Sequence, residues 1–132
     1  MQLPKPMYAN VFLLVFYAVG LVGFIIPSTR EMFQDLVWVN LLISNLVLFA
    51  YHQKWGSGFV IVSIFIFLLG FFIEVIGVNT GLVFGSYGYG PVLGLKVFET
   101  HLLIGLNWLM LVYMAYIVLS PLKWKTWKVA LV

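Results

Sequence analysis

The sequence predicts an all-α, multi-pass membrane bundle of four transmembrane helices, with a Gly/Tyr-rich re-entrant or capping segment between the third and fourth. Three observations predict it. Hydrophobic residues make up 64% of the 132 positions and charged residues only 8%, against about a quarter charged in a soluble domain, so the chain cannot furnish a water-facing surface. Several apolar runs approach the length of about 20 residues that spans about 30 Å of hydrocarbon. The runs are continuous rather than alternating, which favours helices over the strands of a barrel. The whole chain, 1–132, reads as one membrane domain, without internal repeats, low-complexity segments or a linker.

The first helix is expected over about 7–26, where Met7 to Ile26 carries no charge and Pro27 follows; proline readily stops a helix. Lys5 precedes this run as in a secretory signal, but no small-residue cleavage site follows, so it reads as a retained helix. The second is expected over about 34–51, with Leu36 to Tyr51 as its apolar part and its flanks completing the crossing. Arg30, Glu31 and Asp35 form a solvated turn before it. The third, over about 59–78, is preceded by Gly56-Ser57-Gly58 and contains one charge, Glu74. The fourth, over about 99–119, contains Asn107 and closes on Ser120-Pro121.

The segment 77–94 does not read as a linker. It holds six of the chain's twelve glycines, yet also Phe84, Tyr87 and Tyr89, whereas a flexible linker is polar. Gly77, Gly81 and Gly85, four apart, would also suit an extension of the third helix with a small-residue packing face. Tyr87 to Pro91 would not continue a helix. Irregular backbone at membrane depth is tolerated where protein buries it or a cavity lies beneath, so the segment is expected to cap a cavity.

Orientation follows from the basic residues. Lys5, Lys54, Lys123, Lys125 and Lys128 fall on one side, Arg30 and Lys96 on the other, which places both termini in the cytoplasm. Trp55, Trp124 and Trp127 accompany the first set as an interfacial belt. The basic tail is read as an anchor on anionic lipid, with no nucleic-acid partner.

Glu74 is the leading candidate for chemistry. A carboxylate in hydrocarbon is costly, so an intramembrane acid faces the bundle interior or a wet cavity and is a functional candidate by default. A desolvated carboxyl holds its proton more readily, which suits a general acid. The plain alternative is that it pairs with Lys96 or hydrogen-bonds to Asn79 and Thr80 to lock the loop. Glu99 and His101 are expected to open the fourth helix on the same side of the membrane. Lys96 and Glu99 are three apart and would form a local ion pair. His101 and Trp108 share one helix face, Thr100 and Asn107 another. Asn79, Thr80, Asn107, Glu99 and His101 are thus candidates for positioning water or the acid, although Asn40, Ser44, Asn45 and Asn107 equally suit interhelical hydrogen bonds. Two histidines and no cysteine leave no donor set for a thiolate or histidine-rich metal site, so no metal or cofactor is expected.

The stretch Glu74-Val-Ile-Gly-Val-Asn-Thr-Gly81, Phe84-Gly-Ser-Tyr-Gly-Tyr89 and Leu102-Leu-Ile-Gly-Leu-Asn-Trp108 resembles the carotenoid biosynthesis protein family, which includes the carotenoid 1,2-hydratases and bisanhydrobacterioruberin hydratases. The shared pattern is Glu-x-x-Gly-x-x-Thr-Gly-x-x-Phe-Gly-x-Tyr-x-Tyr followed by an apolar helix carrying Trp. It covers about forty residues closely and the rest only as hydropathy. The resemblance implies hydration of the terminal 1,2 double bond of an acyclic carotenoid in a bacterial or archaeal membrane. Glu74 would protonate the secondary carbon, water would capture the tertiary cation, and Phe84, Tyr87, Tyr89 and Trp108 would line the substrate site and stabilise the cation through their π faces.

The implied partners are a carotenoid or other polyisoprenoid lipid, and a second copy of the chain or other enzymes of the same pathway. The family usually has proline where this chain reads Thr100-His101, and its members continue with further helices, so a truncated chain or a short relative working with a partner is expected. A carotenoid end-group cyclase starts from the same protonation. A small non-catalytic subunit binding a lipid or pigment is the non-enzymatic alternative.

Overall fold

The structure, a computed structural model, describes residues 5–120. Its elements in order are α1 (Pro6–Ile25), α2 (Arg30–Asp35), α3 (Val37–Ala50), α4 (Ser57–Thr80), a 3-10 turn (Pro91–Leu93), β1 (Lys96–Val97), β2 (Thr100–His101) and α5 (Leu102–Leu119). Helices α1, α4 and α5 are long and apolar enough to cross a membrane. Helix α3 has fourteen residues and rises about 21 Å, short of the hydrocarbon thickness of about 30 Å. The basic tail from Lys123 to Lys128 lies outside the described residues.

Helix α1 begins with proline in its first turn, where the missing N–H costs nothing, and stops as Ile26 turns extended ahead of Pro27, as the residue before a proline does. Its freed carbonyls are taken by the next turn: Thr29 Oγ1 donates to Gly23 O at 2.9 Å and Arg30 Nε to Phe24 O at 3.0 Å. Gly23 is the only buried residue of α1, and the Phe33 ring of α2 lies against it. Most of the remaining side chains, Leu14, Leu21 and Ile25 among them, face outward, as suits a helix surrounded by lipid.

The residues expected as a turn, Arg30 to Asp35, form helix α2, and the second helix expected over 34–51 is α3, which starts at Val37. The chain breaks at Leu36, whose φ of −91° and ψ of 1° end α2 and begin α3. Helix α2 is held to the end of α1, whereas α3 packs on α5. Beyond α3, His52 turns the chain towards α4. Its ring stacks on Phe59 at 3.8 Å, and its Nε2 lies 3.1 Å from Lys54 O. A carbonyl only accepts, so Nε2 carries the hydrogen and Nδ1 accepts the 2.6 Å bond from the Tyr113 hydroxyl.

The core lies between α4 and α5, the most extensively packed pair of elements. Two glycines allow the approach. A Cβ on Gly70 would stand 2.5 Å from Trp108 Cβ, and one on Gly105 would stand 2.9 Å from the Phe67 carbonyl oxygen. Small residues at such crossings let membrane helices pack by close contact rather than by expelling water.

Helix α4 runs to Thr80, two residues past the expected end, and so takes Asn79 and Thr80 from the glycine-rich segment. Gly81 stops it: φ is +69° there, and its N–H bonds Gly77 O at 2.8 Å, the left-handed cap that glycine adopts without penalty. The fourth helix, expected from residue 99, begins at Leu102. Before it, β1 and β2 pair antiparallel, with Lys96 opposite His101 and Val97 opposite Thr100. Phe98 and Glu99 form the turn, with φ of +51° and +61°; positive φ at both central residues is what a tight two-residue hairpin requires. Glu99 is therefore an exposed turn residue rather than part of a helix.

Candidate active site

Glu74 lies six residues before the end of α4, about 9 Å along the helix axis, and is 7% exposed. Its carboxyl is bonded by three donors from two other segments. The Tyr87 hydroxyl donates to Oε2 at 2.6 Å and the Tyr89 hydroxyl to the same oxygen at 2.8 Å; Trp108 Nε1 donates to Oε1 at 3.1 Å. Tyr87 and Tyr89, on either side of Gly88, both turn towards Oε2. Gly77, one turn beyond the acid on α4, leaves room for them: a Cβ there would lie 3.0 Å from the Tyr87 hydroxyl oxygen and 3.2 Å from the Phe84 ring. Gly70, one turn before the acid, lets the Trp108 indole come against α4.

The loop is held over the acid by its own base. His101 is almost fully buried, and its ring nitrogens lie 2.8 Å from Gly94 O and 2.8 Å from Gly90 O. Its ring meets that of Tyr89 edge-on at 6.0 Å. Lys96 Nζ donates to Tyr89 O at 3.0 Å. Tyr87 and Tyr89 stack edge-to-face at 5.7 Å, and Phe84 meets Tyr87 at 6.2 Å.

The electrostatics follow from this arrangement. Burial, then the hydrogen bond to Glu74, then the carboxylate's charge push the Tyr87 phenol from its ordinary 10 up to about 12. The same three causes push Tyr89 further in the same direction. Both phenols stay protonated across the physiological range and so remain donors to Glu74. Oε2 as a carbonyl oxygen has two lone pairs, and the two tyrosines occupy both. In the neutral acid the proton therefore belongs on Oε1, the oxygen whose partner is the longer indole bond. Once that proton leaves, all three donors serve the carboxylate.

Glu74, Tyr87, Tyr89 and Trp108 thus form one cluster, with His101 directly behind it. Asn79 and Thr80 do not bond the acid. Asn79 Nδ2 donates to Val75 O at 2.8 Å and to Phe98 O at 3.1 Å, tying the helix end to the hairpin turn. Thr80 Oγ1 donates to Ile76 O and accepts from Leu82 N, which caps the helix. Asn107 is half-buried and is not among the groups that bond Glu74. Phe84 is half-exposed and touches the cluster through Tyr87. The sequence suggests the tyrosine rings as π surface; their hydroxyls as paired donors show only in the structure. The one sequence signal for them is the choice of Tyr over Phe at two positions of an apolar segment.

A family model described as carotenoid biosynthesis protein matches residues 35–131, more than half of the chain. No curated protein and no solved structure matches it.

Proposed function

The chain belongs to the carotenoid biosynthesis protein family, and from that membership we propose that it adds water across the terminal 1,2 double bond of an acyclic carotenoid, with Glu74 as the acid. The observation that carries the proposal is a buried carboxyl whose two oxygens are treated differently, Oε2 by two phenol donors and Oε1 by one indole. Oε1–H gives its proton to the less substituted alkene carbon, and the alkene's π pair forms the new C–H bond. The other carbon becomes a tertiary cation. Water adds to it and then loses a proton, which returns the carboxylate to its acid form. The first step creates negative charge on Glu74, and Tyr87, Tyr89 and Trp108 are already aimed at it. Donors placed in advance where charge develops are a principal source of rate enhancement. The cation forms beside the tyrosine and indole rings, whose π faces stabilise it.

The same reading puts the substrate in the bilayer and both termini in the cytoplasm, supported by Lys5 and Lys54 lying opposite Arg30 and Lys96 in the threading. Helix α3 with its flanking turns would supply a fourth crossing. Segment 82–94 would cap the substrate end.

The test is expression in a host that accumulates lycopene, with pigments resolved by chromatography and mass. A product heavier by one water supports hydration. An isomer of unchanged mass means that a neighbouring double bond captured the cation, as in a cyclase. Unchanged lycopene with inserted protein supports a non-catalytic pigment- or lipid-binding subunit. Glu74→Gln, which keeps the side-chain shape and removes the transferable proton, is expected to abolish product while the protein still inserts. Full activity in that variant would refute the role of Glu74.

A further inference from the structure

The two histidines of the chain are bonded in different ways. His52 lies between the Lys54 carbonyl and the Tyr113 hydroxyl, one group that only accepts and one that can donate, so a neutral ring satisfies both. His101 lies between two carbonyls. Its Nδ1 is 2.8 Å from Gly94 O and its Nε2 is 2.8 Å from Gly90 O, and the residue is 1% exposed, which keeps both nitrogens from water. Carbonyl oxygens only accept. Both bonds therefore form only when both nitrogens carry hydrogen, that is, when the ring is an imidazolium ion. A neutral ring in the same place would aim a bare lone pair at a carbonyl oxygen.

The two carbonyls belong to the strap, segment 82–94, that carries the tyrosines. Gly90 follows Tyr89 directly, and Gly94 closes the 3-10 turn, which packs on α2 and α3. His101 thus pins the strap at two points just beyond Tyr89. The titratable and charged groups around the ring come from each neighbouring element. From β1, Lys96 stands opposite His101, with its Nζ on Tyr89 O. From the strap, Tyr89 meets the ring edge-on, and Tyr89 and Tyr87 both bond Glu74, the one titratable residue of α4. Glu99 is exposed in the hairpin turn. Helix α2 carries Arg30, Glu31 and Asp35, all exposed; α3 has no titratable residue, and α5 has none before Tyr113.

We propose that His101 is a protonation-dependent latch on the strap. As the imidazolium it donates to both carbonyls and holds Tyr87 and Tyr89 on Glu74. When the ring gives up a proton, one of the two bonds is lost and the strap is freed at that point. Histidine changes charge between about pH 5 and 8, so the strap is held at the acid end of that range and released as the pH rises. His101 is a positioning residue, acting on the acid through the strap. The latch rests on the geometry of the strap and is independent of the reaction assigned to Glu74.

The chain has no cysteine, so spin labels on Gly88→Cys and Val118→Cys report a single distance, from the strap to the end of α5. Space is open around Gly88, and Val118 is exposed. The labelled full chain is measured in lipid nanodiscs at about pH 5.5 and about pH 8. The ratio of open to closed strap is expected to rise about tenfold between them, the least that a bond to a charged group supplies. His101→Gln, which donates without titrating, should give the same ratio at both. Nitrogen NMR of the histidine rings at about pH 5.5 should show two hydrogen-bearing nitrogens for His101, assigned as the ring signal that His52→Phe retains. A neutral His101 ring in the closed strap would overturn the proposal. So would a ratio unchanged by pH, or a pH dependence that persists in His101→Gln and so belongs to a neighbouring group. The ring signal and the distance in the chain that keeps His101 decide it even where His101→Gln fails to fold. Neither readout measures product, so failure of the latch and failure of hydration at Glu74 are told apart.

Discussion

Replacing Tyr87 and Tyr89 by phenylalanine, singly and together, separates two roles that the rings share. Phenylalanine keeps the π face and removes the donor. If the tyrosines served only as aromatic lining, each substitution would be nearly silent. If their hydroxyls stabilise the carboxylate formed when Glu74 gives up its proton, each removes a bond to a developing charge, worth about 1.5–3 kcal/mol. At about 1.4 kcal/mol per tenfold in rate, each single variant should hydrate about tenfold to a hundredfold more slowly. The Tyr87 bond is the shorter, 2.6 Å against 2.8 Å, so Tyr87→Phe should cost more.

Both hydroxyls bond the same oxygen. When one is removed the other strengthens, and the loss in the double variant should exceed the sum of the single losses on a free-energy scale. The assay is the initial rate of alcohol formation in membranes from the lycopene-accumulating host, normalised to inserted protein. A double variant within twofold of the native rate would refute the hydroxyl role, and strict additivity would refute the shared acceptor.

Three further outcomes follow from the packing and the loop. Gly70→Ala would place a methyl 2.5 Å from Trp108 Cβ; overpacking of this kind costs about 1–3 kcal/mol, to be read as a lower unfolding midpoint in detergent, and an unchanged midpoint would mean that α4 and α5 part freely. Glu99→Gly relieves a positive φ of 61° on a side chain and should stabilise the fold by about 1 kcal/mol, read as a higher midpoint; a fall would assign the Glu99 side chain a stabilising contact. The Tyr87 phenol sits above its unfolded value, so its contribution to stability is complete below about pH 10 and is lost as the pH rises through about 12. The phenolate absorbance of the native chain, minus that of Tyr87→Phe, should therefore stay flat at pH 10 and rise only near 12; ionisation at 10 would show that the phenol does not bond the acid.

Much of this architecture is legible in the amino acids, for identifiable reasons. Long apolar runs specify α1, α4 and α5 because burying or embedding them leaves few alternatives. Glu74 stands out because it is the only carboxylate inside such a run. The break at Leu36 is not legible: no glycine or proline marks it, and it reflects where α2 and α3 find their packing partners. The hairpin at Phe98-Glu99 is likewise hidden, since tight two-residue turns are signalled by Asn-Gly or Asp-Gly and this chain has neither there. Instead, Asn79 reaches across from α4 to hold the Phe98 carbonyl, a bond between residues nineteen apart. At the acid, sequence spacing names the participants but not their division between the two oxygens, because that depends on the path of the loop after Gly81 and on Gly70 admitting the indole.

The donors to Glu74 come from positions 13, 15 and 34 residues later in the chain. During synthesis, which runs from the N-terminus, α4 is made before any of them. The helix must therefore enter the bilayer carrying an acid with none of its eventual partners, a burden of about 3 kcal/mol on scales of residue insertion. Of the three membrane-length helices α4 is both the longest and the most hydropathic, a surplus that offsets the cost of inserting the acid. Diluting α4 with polar residues far from Glu74 would then fail at biogenesis, before the acid ever meets its tyrosines.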